Sequence, residues 1–194
     1  MNKDIINKYN IQAPRYTSYP PANYFKEINE SDFIQTVEDS NDAKKNNVSF
    51  YIHFPYCRRL CHYCGCNSYK WKDQESTDKY VAALHKEIDL VAKHIDKGRR
   101  ISQIHYGGGS PSQLSASTLK ELNQHLLSLM PTIAKPEIAI ECHPGFLDRE
   151  GWEAIADAGF NRVSIGIQDT DADVLKAVNR QQSILPISEI FEIL

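Results

Sequence analysis

Four of the five cysteines fall within ten residues, in His53-Phe54-Pro55-Tyr56-Cys57-Arg58-Arg59-Leu60-Cys61-His62-Tyr63-Cys64-Gly65-Cys66, spaced C-x3-C-x2-C-x-C. Thiolates crowded this closely either bind metal or oxidise. Structural zinc sites usually pair two short cysteine or histidine knuckles that lie far apart in sequence. There is no second knuckle here, because Cys142 stands alone. A cubane iron–sulfur cluster can instead be wrapped by one short loop, with thiolates on three of its irons. The fourth iron then stays open to a ligand. The tight C-x3-C-x2-C run, with Tyr63 before its third cysteine, points to iron–sulfur chemistry, with zinc and inert thiols as the alternatives.

This loop resembles the signature of the radical S-adenosylmethionine (SAM) enzymes. The resemblance implies that Cys57, Cys61 and Cys64 ligate a [4Fe–4S] cluster whose open iron chelates SAM. It also implies that one electron cleaves SAM to a 5′-deoxyadenosyl radical. The likeness is closer to one branch, the oxygen-independent coproporphyrinogen III oxidases of haem synthesis. That branch carries Cys-Gly-Cys, here Cys64-Gly65-Cys66, and an N-terminal Pro-Arg-Tyr-Thr-Ser-Tyr-Pro, here Pro14–Pro20. The similarity runs over about residues 5–185. It implies oxidative decarboxylation of two propionates of coproporphyrinogen III to vinyls, giving protoporphyrinogen IX, with an electron-donor protein as partner.

By position, Tyr51, Gly108 and Glu141 match that branch's contacts to the SAM on the cluster. Tyr63, Gly109, Ser110, Gln168 and Arg180 match residues assigned to a second SAM. The resemblance singles out no catalytic residue. Two departures stand out. Ser110 replaces a common threonine, and Cys142-His143-Pro144 stands where Asp-Pro or Asn-Pro is usual, which leaves the orientation of Glu141 open. A haem chaperone of the same lineage is one alternative. Cys66 and the Pro14–Pro20 arm weigh against it, because the chaperone branch usually has an aromatic residue in place of that cysteine. A zinc-binding module without catalysis is the alternative from another class.

Read without the resemblance, these residues say less. Gly107-Gly108-Gly109 lacks the G-x-G-x-x-G of a dinucleotide site and the Gly-Lys-Ser/Thr of a Walker loop. It either makes a tight turn or lets a ligand approach the backbone. Glu141 follows Ile138 and Ile140, so it lies in an apolar segment, which suits a carboxylate directed at a cation. His85, His94, His105 and His125 show no mutual spacing that argues for a metal and are expected on the surface or in packing. His53, on the strand that feeds the cysteine loop, is read either as a buried, hydrogen-bonded histidine or as part of the site.

The elements that position these residues follow one repeated theme. Pro14, Pro20 and Pro21 impose an irregular N-terminal arm, and by resemblance Arg15 and Tyr16 could meet a substrate carboxylate. A helix over Ser31–Glu38, capped by Ser31, leads into a polar stretch ending at Asn47. Strands are predicted at Phe50–His53, Ile101–Tyr106, Glu137–Glu141 and Arg162–Gln168. Helices are predicted at Thr77–His94, Ser117–Leu129 and Asp148–Ala158, then from Asp171 and from Pro186. Gly159 is expected to stop the third of these. Alternating strands and helices make an α/β fold: parallel βα repeats forming the first four strands of a partial, TIM-like barrel. The division is an arm and helix over residues 1–47 and a core over 48–194. The cysteines, the glycines, Glu141 and Gln168 all fall at strand C-termini, the rim on which βα barrels build their sites.

A net charge of -3 gives no electrostatic footprint for nucleic acid. No apolar run approaches the roughly 18 residues of a membrane span, and Met1-Asn2-Lys3-Asp4 opens no signal peptide. Four cysteines in one loop argue for a reducing, cytoplasmic setting. The last residues, Ile190-Phe191-Glu192-Ile193-Leu194, form an apolar helical run without a cap. The expectation is therefore a front portion of a longer protein, able to hold a cluster weakly and inactive by itself.

Overall fold

The computed structural model describes residues 3–10, 22–42 and 47–194. The chain divides into two units, residues 1–36 and 37–194. Helix α1 (Lys3–Tyr9) and a 3-10 turn at Ala22–Tyr24 belong to the first, and α2 (Glu30–Asp39) runs across the division after residue 36. Ser31 lies inside the first turn of α2 and does not cap it. Asn29 does so instead, its Oδ1 accepting from the Asp32 N–H at 2.9 Å and from the Ser31 hydroxyl at 2.6 Å. Asparagine ranks with serine as a cap, so composition alone could not choose between them. Pro14–Pro20, with Arg15 and Tyr16, lies outside the described residues.

The second unit is a run of βα repeats. Strand β1 (Asn47–Phe54) leads to two short strands, β2 (Tyr56–Cys57) and β3 (Tyr69–Lys70), and then to helix α3 (Gln74–Ala92). Next come β4 (Arg100–Gly108), α4 (Ala116–Leu129), β5 (Thr132–Cys142), α5 (Arg149–Asp157) and β6 (Arg162–Ile165). Helices α6 (Ala172–Ala177) and α7 (Ile187–Ile193) follow. The four long strands form a parallel sheet in the order β1-β4-β5-β6. Helices α3, α4 and α5 therefore each connect neighbouring strands of this sheet, as βαβ connectivity requires.

Side chains alternate across a strand, so each strand divides its residues between two faces. On one face Ile52, Phe54, Ile104, Tyr106, Ile138 and Ile140 are buried together with Leu84, Leu119, Leu122, Leu126, Trp152 and Ile155 of the helices. Tyr106 donates to Asn123 Oδ1 at 2.9 Å inside this layer, and burial pushes its phenol pKa up. The opposite face carries Ser49, Tyr51 and His53, then Gln103 and His105, then Glu137 and Glu141, then Arg162 and Ser164. It is polar and partly open, with Tyr51 58% exposed. Asp73, Ser115, Asp148 and Asp171 each cap a helix with a side-chain oxygen. Each such cap contributes about 1 kcal/mol.

The expected elements are all present, with shifted ends. β5 starts at Thr132 rather than Glu137, and β6 stops at Ile165 rather than Gln168. Gln168 has φ 71, a left-handed backbone that cannot extend a strand. The glycines, in turn, belong partly to β4 itself, which runs through Gly108. Gly159 has φ 90 and follows α5 as expected.

Candidate cofactor site

The cysteine loop leaves the C-terminal end of β1 and is closed at its base by β2 and β3. Tyr69 N–H donates to the Pro55 carbonyl and Trp71 N–H to the Cys57 carbonyl, both at 2.7 Å. This small two-stranded sheet has no counterpart in the sequence expectation, since two-residue strands leave no periodicity to read. Inside the loop Cys64 N–H donates to the Cys61 carbonyl at 3.1 Å, which turns the chain so that the thiols share one side. Next to it, Gly109 N–H donates to the Phe54 carbonyl at 2.7 Å and Ser110 N–H to the Tyr56 carbonyl at 3.0 Å. The glycine segment is thereby laid directly against the start of the loop. At Gly108 the backbone has φ 108, and a Cβ would stand 2.6 Å from the His53 ring. Only glycine fits there.

Between the loop and the strand ends lies a cavity of about 280 Å³. Its walls include Cys57, Cys61, Cys64 and Cys66, with Tyr63 from the loop, Gly108 at the end of β4 and Gly109 and Ser110 just after it, Glu141 near the end of β5 and His143 just after it, and Arg180 after α6. All five cysteines are free, so the loop is not cross-linked. Three of the thiols meet a side-chain partner: Cys57 meets the Ser110 hydroxyl at 3.6 Å, Cys61 meets Arg180 Nη1 at 3.5 Å and Cys64 meets the Ser68 hydroxyl at 3.9 Å. Burial raises the Cys57 thiol above its ordinary pKa, opposed by Ser110 and reinforced by Cys64 and Cys61. Among the described residues no three Cys, His, Asp or Glu side chains converge as a single-ion site requires. A lone zinc ion needs all its ligands within about 2.3 Å. Thiolates that each take a different iron of a cluster need not converge on one point, and three free thiols on one cavity wall fit that requirement.

Most of the expected residues come together here. Tyr63, Gly108, Gly109, Ser110, Glu141, Arg180 and the three cysteines line one cavity. Tyr51 and Gln168 are not part of its wall. The Tyr51 hydroxyl bonds His53 Nδ1 at 3.2 Å, and its ring stacks on His105 at 5.8 Å. Burial and then Glu141 raise its pKa. His105 Nε2 donates to Glu141 Oε1 at 3.1 Å, which orients that carboxylate from the strand beside it. His53 Nε2 donates to the Asn67 carbonyl at 2.8 Å, which leaves its Nδ1 to accept from the Tyr51 hydroxyl.

Sequence reasoning gave no role to two residues of the cavity wall, His143 and Cys142. His143 is buried, stacks on Phe146 at 3.9 Å and accepts from Gly145 N–H through Nδ1 at 3.0 Å. Burial, and then Arg180, depress its pKa to about 3, so it stays neutral with its proton on Nε2. Its place in the unusual Cys142-His143-Pro144 was the available signal. Cys142 is also buried, with its thiol pushed up to about 12 by burial. His85 and His125, spaced without pattern in sequence, meet across α3 and α4 with their Nδ1 atoms 2.7 Å apart, while His125 Nε2 reaches Asp89 at 2.9 Å.

Comparison with known proteins places this arrangement. The chain is 39% identical over 192 residues to an oxygen-independent coproporphyrinogen III oxidase of Synechocystis, covering 98% of this chain and 40% of that protein. It is 38% identical over 179 residues to the Escherichia coli K12 protein of the same name, covering 92% of this chain and 38% of the relative. The solved structure of coproporphyrinogen III oxidase (HemN) from Escherichia coli, described as a radical SAM enzyme, superposes with a TM-score of 0.79 at 34% identity. That superposition covers 96% of this chain and 40% of the other. This chain thus spans about 40% of the length of the relatives it matches. The pattern of the radical SAM superfamily matches residues 51–194, a range that contains every residue of the cavity wall, and the chain belongs to that superfamily.

Proposed function

We propose that this chain carries the cluster- and SAM-binding core for oxidative decarboxylation of coproporphyrinogen III to protoporphyrinogen IX. The observation that carries the reading is the single cavity shared by Cys57, Cys61 and Cys64 with Gly108, Gly109, Glu141 and Arg180. The likeness to oxygen-independent coproporphyrinogen III oxidases supports the choice of substrate. When bound, the [4Fe–4S] cluster and SAM supply one-electron cleavage and a hydrogen-abstracting deoxyadenosyl radical. Cys57, Cys61 and Cys64 hold the cluster, and Cys66 stays outside its ligand set. The side-chain-free Gly108 admits the amino-acid end of SAM. Glu141, oriented by His105, takes a hydroxyl or ammonium of the same ligand. Tyr51 buttresses that wall through His53 and His105. Tyr63, Gly109, Ser110, Gln168 and Arg180 serve a second SAM. The electron comes from a low-potential donor protein.

Anaerobic reconstitution with iron and sulfide, followed by calorimetry with SAM, tests the cofactor half. The expected result is about four irons per chain and SAM binding that depends on the cluster. Stoichiometric zinc in place of iron would refute it. Anaerobic incubation of a full-length relative carrying this core with coproporphyrinogen III, SAM and a one-electron reductant tests the substrate half. Loss of two carboxyl groups per tetrapyrrole supports it, whereas haem binding without decarboxylation supports the chaperone reading instead.

A further inference from the structure

Each of the three thiols assigned to the cluster has its own side-chain partner, but only one of those partners is charged. Arg180 Nη1 donates to Cys61 Sγ at 3.5 Å, whereas Ser110 and Ser68 offer neutral hydroxyls at 3.6 and 3.9 Å. The placement of Arg180 is built by the turn that follows α6. Asn179 has φ 56, and the Arg180 N–H returns to the Leu175 carbonyl at 2.8 Å, which throws the arginine back toward the cysteine loop. The same turn grips that loop. His62 N–H donates to the Val178 carbonyl at 3.0 Å, and Asn179 Nδ2 donates to the Leu60 carbonyl at 2.8 Å. Arg180 Nη2 donates to the carbonyl of Gly166, where a Cβ would come within 2.8 Å of that nitrogen. Its Nε is buried with no partner among the described residues. The guanidinium is therefore held from two sides and directed at one sulfur.

We propose that Arg180 sets the reduction potential of the cluster through its hydrogen bond to the Cys61 thiolate. This rests on the cluster assignment above and adds to it a role that operates before any SAM arrives. The reaction concerned is the transfer of one electron from a low-potential one-electron reductant to the oxidised cluster. No bond is made or broken, and Arg180 keeps its proton, since a guanidinium stays charged in proteins. Reduction adds one negative charge beside Cys61. A fixed cation with an N–H on the sulfur stabilises that added charge, and hydrogen bonds to the sulfurs are among the levers that set such potentials. Ser110 and Ser68 carry no charge, so their influence is smaller. Arg180 acts through Cys61 and is a positioning residue.

Redox titrations of the reconstituted chain, followed by electron paramagnetic resonance in the absence of SAM, test this. Arg180→Gln is expected to lower the reduced-to-oxidised ratio at a fixed potential about tenfold, equivalent to 59 mV for one electron. Arg180→Lys should fall between it and the wild type, and Ser68→Ala should shift the ratio less than Arg180→Gln does. Pulsed resonance on the reduced cluster with isotopically labelled arginine should show a weak coupling that Arg180→Lys, which keeps the loop residues Arg58 and Arg59, removes. That measurement decides the matter even if Arg180→Gln fails to hold iron. Equal midpoints, or no coupling to arginine in a normal cluster, overturn the proposal alone. A wild type that takes up no iron overturns the cluster assignment and this proposal with it.

Discussion

Three cysteines of four in the loop are assigned to metal, and the distinction is open to direct trial. Cys57→Ser, Cys61→Ser or Cys64→Ser is expected to abolish the brown cluster, while Cys66→Ser keeps its iron. Equal iron loss from Cys66→Ser and Cys61→Ser would show that the fourth thiol is a ligand too. His143 makes a second, separable statement. Its pKa lies near 3 in the fold against an ordinary 6.5. The folded state therefore refuses a proton that the unfolded chain accepts below pH 6.5. Its contribution is fully present above pH 6.5 and is lost progressively as the pH falls toward 3. Between pH 7 and 4.5 the wild type should lose about 2 kcal/mol of stability through this group. In His143→Gln that part of the profile should flatten, as read by urea midpoints at the two pH values. Identical profiles would mean that His143 titrates normally in the fold.

The strands and helices were legible because their apolar residues recur at the right period. Tyr80, Leu84, Ile88 and Val91 mark α3, and Ile138 and Ile140 mark the buried face of β5. The same strand logic also put the chemistry at the C-terminal ends, and the cavity lies there. What stayed hidden depends on contacts between residues distant in sequence. The Arg180–Cys61 bond spans 119 residues, the His85–His125 contact 40 and the His105–Glu141 bond 36. No periodicity encodes such meetings. Gln168 was misplaced for a local reason, because its left-handed backbone ends the strand early. At the end of β4, Gly108→Val should both strain a positive-φ position and drive a side chain into His53. Strain of about 1–3 kcal/mol is expected, with SAM affinity reduced and iron content retained. Unchanged affinity by calorimetry would remove Gly108 from the SAM site.

Taken whole, the second unit is a parallel sheet covered by helices on one face and polar on the other. Parallel sheets are usually buried on both faces, and among the described residues β1 and β6 are also the edges of the sheet. Unpaired edges and an open face favour association with other chains. Light scattering should therefore detect concentration-dependent self-association, whereas a strictly monomeric species across the concentration range would count against this reading. No helix among the described residues is long and apolar enough to cross a membrane. The two tryptophans occupy very different places in this frame. Trp152 is wholly buried on the inner face of α5, while Trp71 sits at the base of the cysteine loop, 37% exposed, with its ring N–H on Thr77 at 3.1 Å. The molecule thus carries two intrinsic optical probes, one for the helical layer and one for the mouth of the loop. With Trp152→Phe and excitation that selects tryptophan over the tyrosines, the emission comes from Trp71 alone, so metal uptake can be followed in real time as quenching of a single native indole.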